Sequence, residues 1–316
     1  MEHESPNTLI YRRLDLQRDL TALVGLFHEI EQTDQTGEQL TEAALHEQLT
    51  WSGQDPALNN WLATLSDNSS LVGYGLIQKT LIDANADIYI TVHPSWRRQG
   101  IGGQLFARLL ERASELNAQA LRTYAPAQHK AASLFVRKQG FEPVSTSTRL
   151  SLRGKQSFPA PALPQGFTVQ SYDQIERVDL YTEALNRCYE GYWGHLRCTE
   201  EEVAQFLSTL NHAGIFLLFA PDGTIAGTCR ANLSAPLTEE RKAPTGLIDA
   251  PGIVAQYREA NLSLALLLTA IHWLLPQDPE ILEIESWGES PATLERYRSL
   301  GFTTAKEEIS YRLSLK

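Results

Sequence analysis

The chain has 316 residues, of which 42% are hydrophobic and 21% are charged, and its net charge is −11. This length allows two domains with cores of their own, and the acidic charge excludes a general nucleic-acid binder while it favours the approach of a cationic amine. The three cysteines lack the spacing of metal ligands, the N-terminus lacks the apolar core of a secretion signal, and the most apolar run, 262–275, is too short to cross a bilayer. We therefore predict a cytoplasmic protein that uses no metal and binds neither nucleic acid nor membrane.

The first predicted elements are a strand, LIYRRL at 9–14, and a helix, LTALVGLFHEI at 20–30. The segment after this helix carries Glu31 and Asp34, two carboxylates that are able to receive an amine and relay its proton. Acidic loop residues are more often simply solvated, and that alternative stays open for either residue alone.

A hairpin-like strand pair follows, SLVGYGLIQ at 70–78 and ADIYITV at 86–92, and the second strand runs into the glycine-rich loop HPSWRRQGIGG at 93–103. An amphipathic helix comes next, since apolar residues recur at helical spacing from Ile101 to Leu116. The unpaired N–H groups and positive dipole at such a helix N-terminus favour an anion, most naturally a phosphate or pyrophosphate.

The residue types of this loop fit an anion site. Gly100, Gly102 and Gly103 leave room for a phosphate beside the backbone, and Arg97 and Arg98 add positive charge. The spacing excludes a Rossmann motif and a P-loop, and the other signatures of a kinase are missing. A glycine turn that only starts a helix is the simpler alternative.

The second half of the chain repeats the first. WRRQGIGGQLF at 96–106 aligns with YREANLSLALL at 257–267, and RKQGFEP at 137–143 aligns with RSLGFTT at 298–304, both at an offset of 161 residues. Internal duplication explains the equal offsets better than chance does. We predict an N-terminal domain at 1–152, a proline-rich linker at 153–165 and a C-terminal domain at 166–316. Each domain is expected to be a mixed α/β layered structure with a twisted, mostly antiparallel sheet flanked by helices.

The stretch VHPSWRRQGIGGQLF at 92–106, followed by KQGFEP at 138–143, resembles the core of the GCN5-related N-acetyltransferases (GNAT). The signature of that family is Arg/Gln-x-x-Gly-x-Gly/Ala, and the paired layout is similar to that of its tandem-domain members. The resemblance implies acetyl-CoA as the co-substrate, with its pyrophosphate on the loop amides and its pantetheine arm along the strand edge. The cofactor-binding residues implied are Val92, Arg97, Arg98, Gln99, Gly100, Ile101, Gly102 and Gly103.

Each copy has only part of the residues that the family uses for binding and catalysis. Members often protonate the departing thiolate with a tyrosine four residues before the Gly-Phe pair, where the first copy has Val136 and the second has Tyr297. The second copy has lost the glycines of its loop, so we expect acetyl-CoA to bind in the first. There Tyr124 is a candidate acid, since the ordinary tyrosine pKa of roughly 10 suits protonation of a thiolate, and His129 is a candidate acid or base. Packing or solvation explains both residues equally well.

These residues predict an N-acetyltransferase that moves an acyl group to an amine of a small molecule or peptide by direct attack in a ternary complex. The catalytic candidates are Tyr124, His129, Glu31 and Tyr297. The alternatives are a sensor or scaffold that binds acyl-CoA without turnover, and catalysis in the second copy with Tyr297 as the acid. We expect either a monomer whose domain pair mimics a dimer or a homodimer.

Overall fold

The computed structural model describes residues 8–36, 40–50, 55–66, 70–79 and 84–315. The chain divides into two compact units: unit 1 comprises Met1–Pro143 and Ser310–Lys316, and unit 2 comprises Val144–Ile309. Within the described ranges, every helix is too short or too polar to span a bilayer.

Helices and strands alternate along both units. In chain order they are β1 (Leu9–Arg13), α1 (Leu16–Asp34), α2 (Glu42–Thr50), α3 (Pro56–Asn59), β2 (Asn60–Leu65), β3 (Leu71–Lys79), β4 (Asn85–Val92), α4 (Ile101–Glu115), β5 (Ala120–Pro126), α5 (Lys130–Lys138), β6 (Glu142–Arg153), β7 (Thr168–Ser171), α6 (Tyr172–Ile175), α7 (Val178–Cys188), α8 (Glu200–Leu207), β8 (Ile215–Phe219), β9 (Ile225–Leu233), α9 (Ala235–Arg241), β10 (Thr245–Ile253), α10 (Leu262–Leu274), β11 (Ile281–Ser286), α11 (Pro291–Ser299) and β12 (Thr303–Ser314).

The sheet of unit 1 has the strand order β1-β2-β3-β4-β5, and the last residues of β12 lie beside β5. All of these strand pairs up to β4 are antiparallel, and β4 pairs with β5 in parallel. Successive residues of a strand point to opposite faces of the sheet, and helices cover both of these faces. Leu62 packs with Leu23 of α1, whereas its neighbour Ala63 packs with Ile101 of α4.

Two glycines of β3 let α4 lie close to the sheet. A Cβ atom at Gly73 would stand 3.0 Å from Cγ2 of Ile101, and one at Gly75 would stand 3.3 Å from Cδ1 of Leu109. Any larger side chain would push the helix outward, since buried contacts are already close-packed. The N-terminus of α4 is thereby held next to the end of β4.

Unit 2 has the strand order β6-β11-β10-β9-β8-β7, with β10 and β11 parallel and the other pairs with a defined register antiparallel. The apolar run predicted as a buried helix forms α10, whose side chains are buried around most of its circumference. The predicted mixed α/β layered fold, with a mostly antiparallel sheet flanked by helices, is confirmed.

The boundaries of the two compact units differ from the boundaries of the sequence repeat. Strand β6, which ends the first repeat, hydrogen-bonds to β11 from Thr148 to Arg153 and therefore belongs to unit 2 from residue 144 onward. Residues 310–316, which end the second repeat, belong to unit 1, where the N–H of Leu315 donates to the carbonyl of Gln119 over 2.8 Å. The predicted limits 1–152, 153–165 and 166–316 remain a prediction about the repeat.

Candidate functional site

Strands β4 and β5 of unit 1 part from one another halfway along. Their parallel pairing covers only Asn85–Asp87 and Ala120–Arg122, whereas β4 continues to Val92 and β5 to Pro126. On its other side β4 stays paired with β3 as far as Val92. The edge of β4 that faces the opening therefore offers backbone N–H and C=O groups to an extended chain of amides.

The loop predicted as an anion site leads from this opening into α4. It contains a 3₁₀ turn at Pro94–Trp96, and Arg98 and Gly100 have φ angles of 65° and 85°. Gly100 is the N-cap of α4, and no side chain caps the helix there. The first N–H groups of α4 thus point away from the helix with the positive end of its dipole, as an anion site requires.

The three glycines of the loop do not share one role. Gly100 adopts the left-handed conformation, a Cβ at Gly102 would lie 3.3 Å from ring carbons of Phe135, and a Cβ at Gly103 would meet no atom within 4 Å. Gly102 therefore allows α5 to pack against α4. A Cβ at Gly100 would also meet no atom within 4 Å, but the left-handed φ there disfavours a side chain. Gly103 is therefore the position where a side chain suits the backbone and enters open space beside the helix N-terminus.

The two loop arginines also differ. Nε of Arg97 donates to the carbonyl of Val92 over 3.0 Å, and its Nη1 and Nη2 donate to the two carboxylate oxygens of Asp34 over 2.8 and 2.6 Å. Arg98 is exposed, and among the described residues it has no ion pair. Arg98 is accordingly the loop cation whose charge is available to a ligand. Gln99 is exposed, and Ile101 is buried at 1% exposure in the core under α4.

The structure brings only some of the catalytic candidates together. Nε2 of His129 lies 3.1 Å from the carbonyl oxygen of Asp34; since a carbonyl accepts, Nε2 is the donor of this hydrogen bond. Glu31 accepts hydrogen bonds from the backbone N–H and the hydroxyl of Thr36, over 3.0 and 2.5 Å, and so closes the turn after α1. Tyr124 stands at the end of β5, on the strand that parts from β4, and is 57% exposed.

The loop of unit 2 keeps part of this backbone form without the glycines. Asn261 takes the N-cap position with a φ of 55°, because asparagine tolerates the left-handed region. Ser263 and Leu264 stand where unit 1 has Gly102 and Gly103. The parallel pairing of β10 with β11 extends over Thr245–Asp249, so these strands stay together for longer than β4 and β5 do.

Tyr297, the acid candidate of unit 2, is enclosed by protein. Its side chain is 0% exposed, and burial, reinforced by the neighbouring Glu289, raises its pKa well above 10. The Ser263 side chain interacts with the Tyr297 hydroxyl and offsets a small part of this rise in pKa. Within the part of the chain that the structure describes, Oε1 of Glu289 has no hydrogen-bond partner. Burial also raises the pKa of Glu289. A general acid must reach the departing thiolate, and Tyr297 in this conformation presents no surface to one.

Sequence reasoning did not anticipate the pairing of Asp34 with Arg97 or the contact of Phe135 with Gly102. The two charged residues are 63 positions apart, and no local spacing rule connects them. Glu289, beside Tyr297, carried no signal either, because its burial results from the fold of unit 2.

Comparison with known proteins relates part of this chain to the acetyltransferases. Residues 58–143 match the family model described as the acetyltransferase (GNAT) domain. A mycothiol acetyltransferase of Arthrobacter sp. strain FB24 is 22% identical over 94% of this chain and 92% of its own length. One from Tsukamurella paurometabola is 27% identical over 70% of this chain and 75% of its own length.

Two solved structures share the fold over nearly the whole chain. A GCN5-related N-acetyltransferase from Sphaerobacter thermophilus superposes with a TM-score of 0.71 at 20% identity, covering 97% of this chain and 95% of that one. A tandem GNAT protein from the clavulanic acid biosynthesis pathway superposes with a TM-score of 0.59 at 17% identity, covering 97% and 98%.

Proposed function

We propose that this protein, in which residues 58–143 form a GNAT acetyltransferase domain, transfers an acetyl group from acetyl-CoA to an amine of a small molecule or peptide. The observation that carries the proposal is the parting of β4 from β5 directly beside the uncapped N-terminus of α4. The opening offers a strand edge for the amides of pantetheine, and the helix N-terminus offers N–H groups for a pyrophosphate.

Residues of unit 1 divide the work of binding. The N–H groups of the loop from Gln99 to Gly103, with the charge of Arg98, hold the pyrophosphate, and the open space at Gly103 leaves room for it. The edge of β4 near Val92 bonds the pantetheine arm. Ile101 anchors the start of α4 in the core, so that the N–H groups are fixed before the ligand arrives.

The transfer proceeds by direct attack of the amine on the thioester. All three cysteines lie in unit 2, and burial raises the pKa of Cys188 to about 12 and that of Cys229 well above its usual value. A thiol that is so hard to ionise is a poor nucleophile for an acyl-enzyme. Tyr124, at the end of β5, donates a proton to the departing thiolate, and Nδ1 of His129 takes the proton of the amine.

The acceptor is proposed as a cationic small-molecule amine, in keeping with the net charge of −11. The relatives named mycothiol acetyltransferase make an amine related to mycothiol the first acceptor to test. We place the protein in the cytoplasm, as a monomer with paired domains or a homodimer.

The function is tested by measuring release of the free CoA thiol across a panel of amines, with Tyr124→Phe and Tyr297→Phe compared as a matched pair. We expect turnover with at least one small amine, a fall in kcat of roughly tenfold to a hundredfold for Tyr124→Phe, and little change in kcat for Tyr297→Phe. Because Tyr297 is fully buried, the melting temperature of Tyr297→Phe is recorded alongside.

Two other outcomes would replace the proposal. Acetyl-CoA binding without turnover on any amine would favour a sensor or scaffold, which the presence of Val136 at the usual tyrosine position supports. A large loss from Tyr297→Phe with none from Tyr124→Phe would move catalysis to unit 2.

A further inference from the structure

The arginine of the loop makes the same pair of contacts in both repeats. In unit 1, Nε of Arg97 donates to the carbonyl of Val92, and its Nη atoms reach Asp34 at the end of α1. In unit 2, Nε of Arg258 donates to the carbonyl of Ile253 over 3.1 Å, and its Nη2 donates to the carbonyl of Glu190, just after α7, over 2.9 Å. Each arginine therefore ties the end of a strand to the segment that follows the first long helix of its repeat.

This arginine is retained in the repeat that has lost the loop glycines. If its purpose were to bind pyrophosphate, nothing would require it beside Asn261 and Ser263, which replace Gly100 and Gly102 of the first repeat. A role inside the protein explains why both copies have it. In unit 1 that role already occupies three of the five N–H donors of the Arg97 guanidinium.

Unit 1 strengthens the tie with a full ion pair. Where Glu190 offers a backbone carbonyl, Asp34 offers both carboxylate oxygens in the two-pronged geometry that guanidinium groups favour, and its side chain is only 17% exposed. The carbonyl of Asp34 meets Nε2 of His129 at the start of α5. One residue at the end of α1 thus contacts the loop before α4 and the N-terminus of α5.

We propose that Asp34 is a positioning residue, which through Arg97 holds the loop 97–103 in the form that binds acetyl-CoA and couples it to the segment 31–36. This proposal rests on the proposed function for its ligand. A carboxylate that is neutralised by Arg97 does not receive the amine, so Asp34 is removed from the candidates for that role. Loss of the tie lowers the fraction of molecules with a competent loop, and the apparent affinity falls by the same factor.

Two possible roles of Arg97 predict opposite effects of Asp34→Asn on the affinity for acetyl-CoA. If Arg97 served as a phosphate ligand restrained by Asp34, Asp34→Asn would free a cation and tighten acetyl-CoA binding. If Arg97 is a structural tie, Asp34→Asn weakens binding, with an expected rise in Kd of roughly tenfold.

The variants are Asp34→Asn, Asp34→Glu and Arg97→Gln, with the double variant of Asp34→Asn and Arg97→Gln. Glu115→Gln is the matched control, because Glu115 is also a carboxylate at a helix end in unit 1 and is paired with Arg112 over 2.7 Å, but it lies at the end of α4 opposite to the loop. Acetyl-CoA Kd is measured by calorimetry, and amide hydrogen exchange of residues 97–103 is measured without ligand.

We expect Asp34→Asn and Arg97→Gln each to raise the Kd and to speed exchange in the loop, the double variant to resemble either single one, and Asp34→Glu to recover part of the loss. Glu115→Gln should match the unaltered protein. Unchanged exchange in the folded Asp34→Asn protein, or tighter binding, would overturn the proposal, as would a rise in the amine KM alone. If the unaltered protein binds no acetyl-CoA, the proposed function fails, while the exchange rates still decide whether Asp34 holds the loop.

Discussion

Three glycines within one short loop meet three different physical demands. Gly100 supplies a φ of 85°, Gly102 lets the ring of Phe135 approach, and Gly103 borders open space. The family signature treats such positions alike, whereas the space around a Cβ atom is closed at Gly102 and open at Gly100 and Gly103. The sequence alone predicted a glycine-rich anion loop, but it did not show why each glycine is needed, because the fold brings Phe135 to the loop.

Gly103→Ala should separate stability from binding. The new methyl group meets no protein atom, so the helix gains up to about 1 kcal/mol of stability, while the Kd for acetyl-CoA rises by roughly tenfold because the methyl group enters the pyrophosphate site. Gly25→Ala on α1 is the matched control, since a Cβ there is also free of contacts within 4 Å. Calorimetry and urea unfolding measure the two effects, and a Gly103→Ala protein that binds acetyl-CoA normally would place the ligand elsewhere.

Elements reach the site with the help of contacts between residues that are distant in sequence. The apolar spacing of α4 and the strand pair β3-β4 are local patterns, and both were predictable. The sequence did not predict that β6, the last strand of the first repeat, pairs with β11 of the second repeat. This pairing depends on the whole topology and not on a local pattern. The enclosure of Tyr297 arises in the same way, and its position before a Gly-Phe pair suggested an accessible acid.

The junction of β1 with α1 depends on a buried carboxylate. Burial alone would raise the pKa of Asp19, but hydrogen bonds from Arg12, Arg18 and the N–H of Asp15 outweigh it and lower the pKa from 3.8 to about 2. The ion pair therefore stabilises the fold fully above pH 4, and its contribution is lost as the pH falls through the folded value near 2.

We expect the free energy of unfolding to fall by about 2 kcal/mol between pH 5 and pH 2 on account of Asp19 alone. Urea unfolding measures the change, and Asp19→Asn should remove this share of the pH dependence. A carboxyl NMR titration gives the pKa of Asp19 directly, and a value near 4 in the folded protein would contradict the expectation.

The whole molecule carries one fold twice with unequal sites. Unit 1 combines the opening between β4 and β5, the glycine at the N-cap of α4 and the exposed Arg98. Unit 2 has Ser263 and Leu264 at the positions equivalent to Gly102 and Gly103. The equal offsets of the two motifs predicted the duplication, and the alignment of the two loops showed the loss of the glycines. The assignment of each strand to a compact unit could be made only from the structure.

Calorimetric titration should therefore give one acetyl-CoA bound per chain. Arg98→Ala should weaken this single site, increasingly so at low salt, because the charge of Arg98 is exposed and its attraction for a phosphate is screened by ions. Binding of two molecules per chain would assign a second ligand to unit 2, and a single site that is indifferent to Arg98→Ala would contradict the role of Arg98.

The return of residues 310–316 to unit 1 affects the order in which the protein is made. Unit 1 holds the first 143 residues of the chain, yet its strand β5 gains the end of β12 as a neighbour only after all of unit 2 has left the ribosome. Until then the edge of β5 is uncovered, and an uncovered edge is open to pairing with other chains. The domain with the intact loop is translated first and completed last.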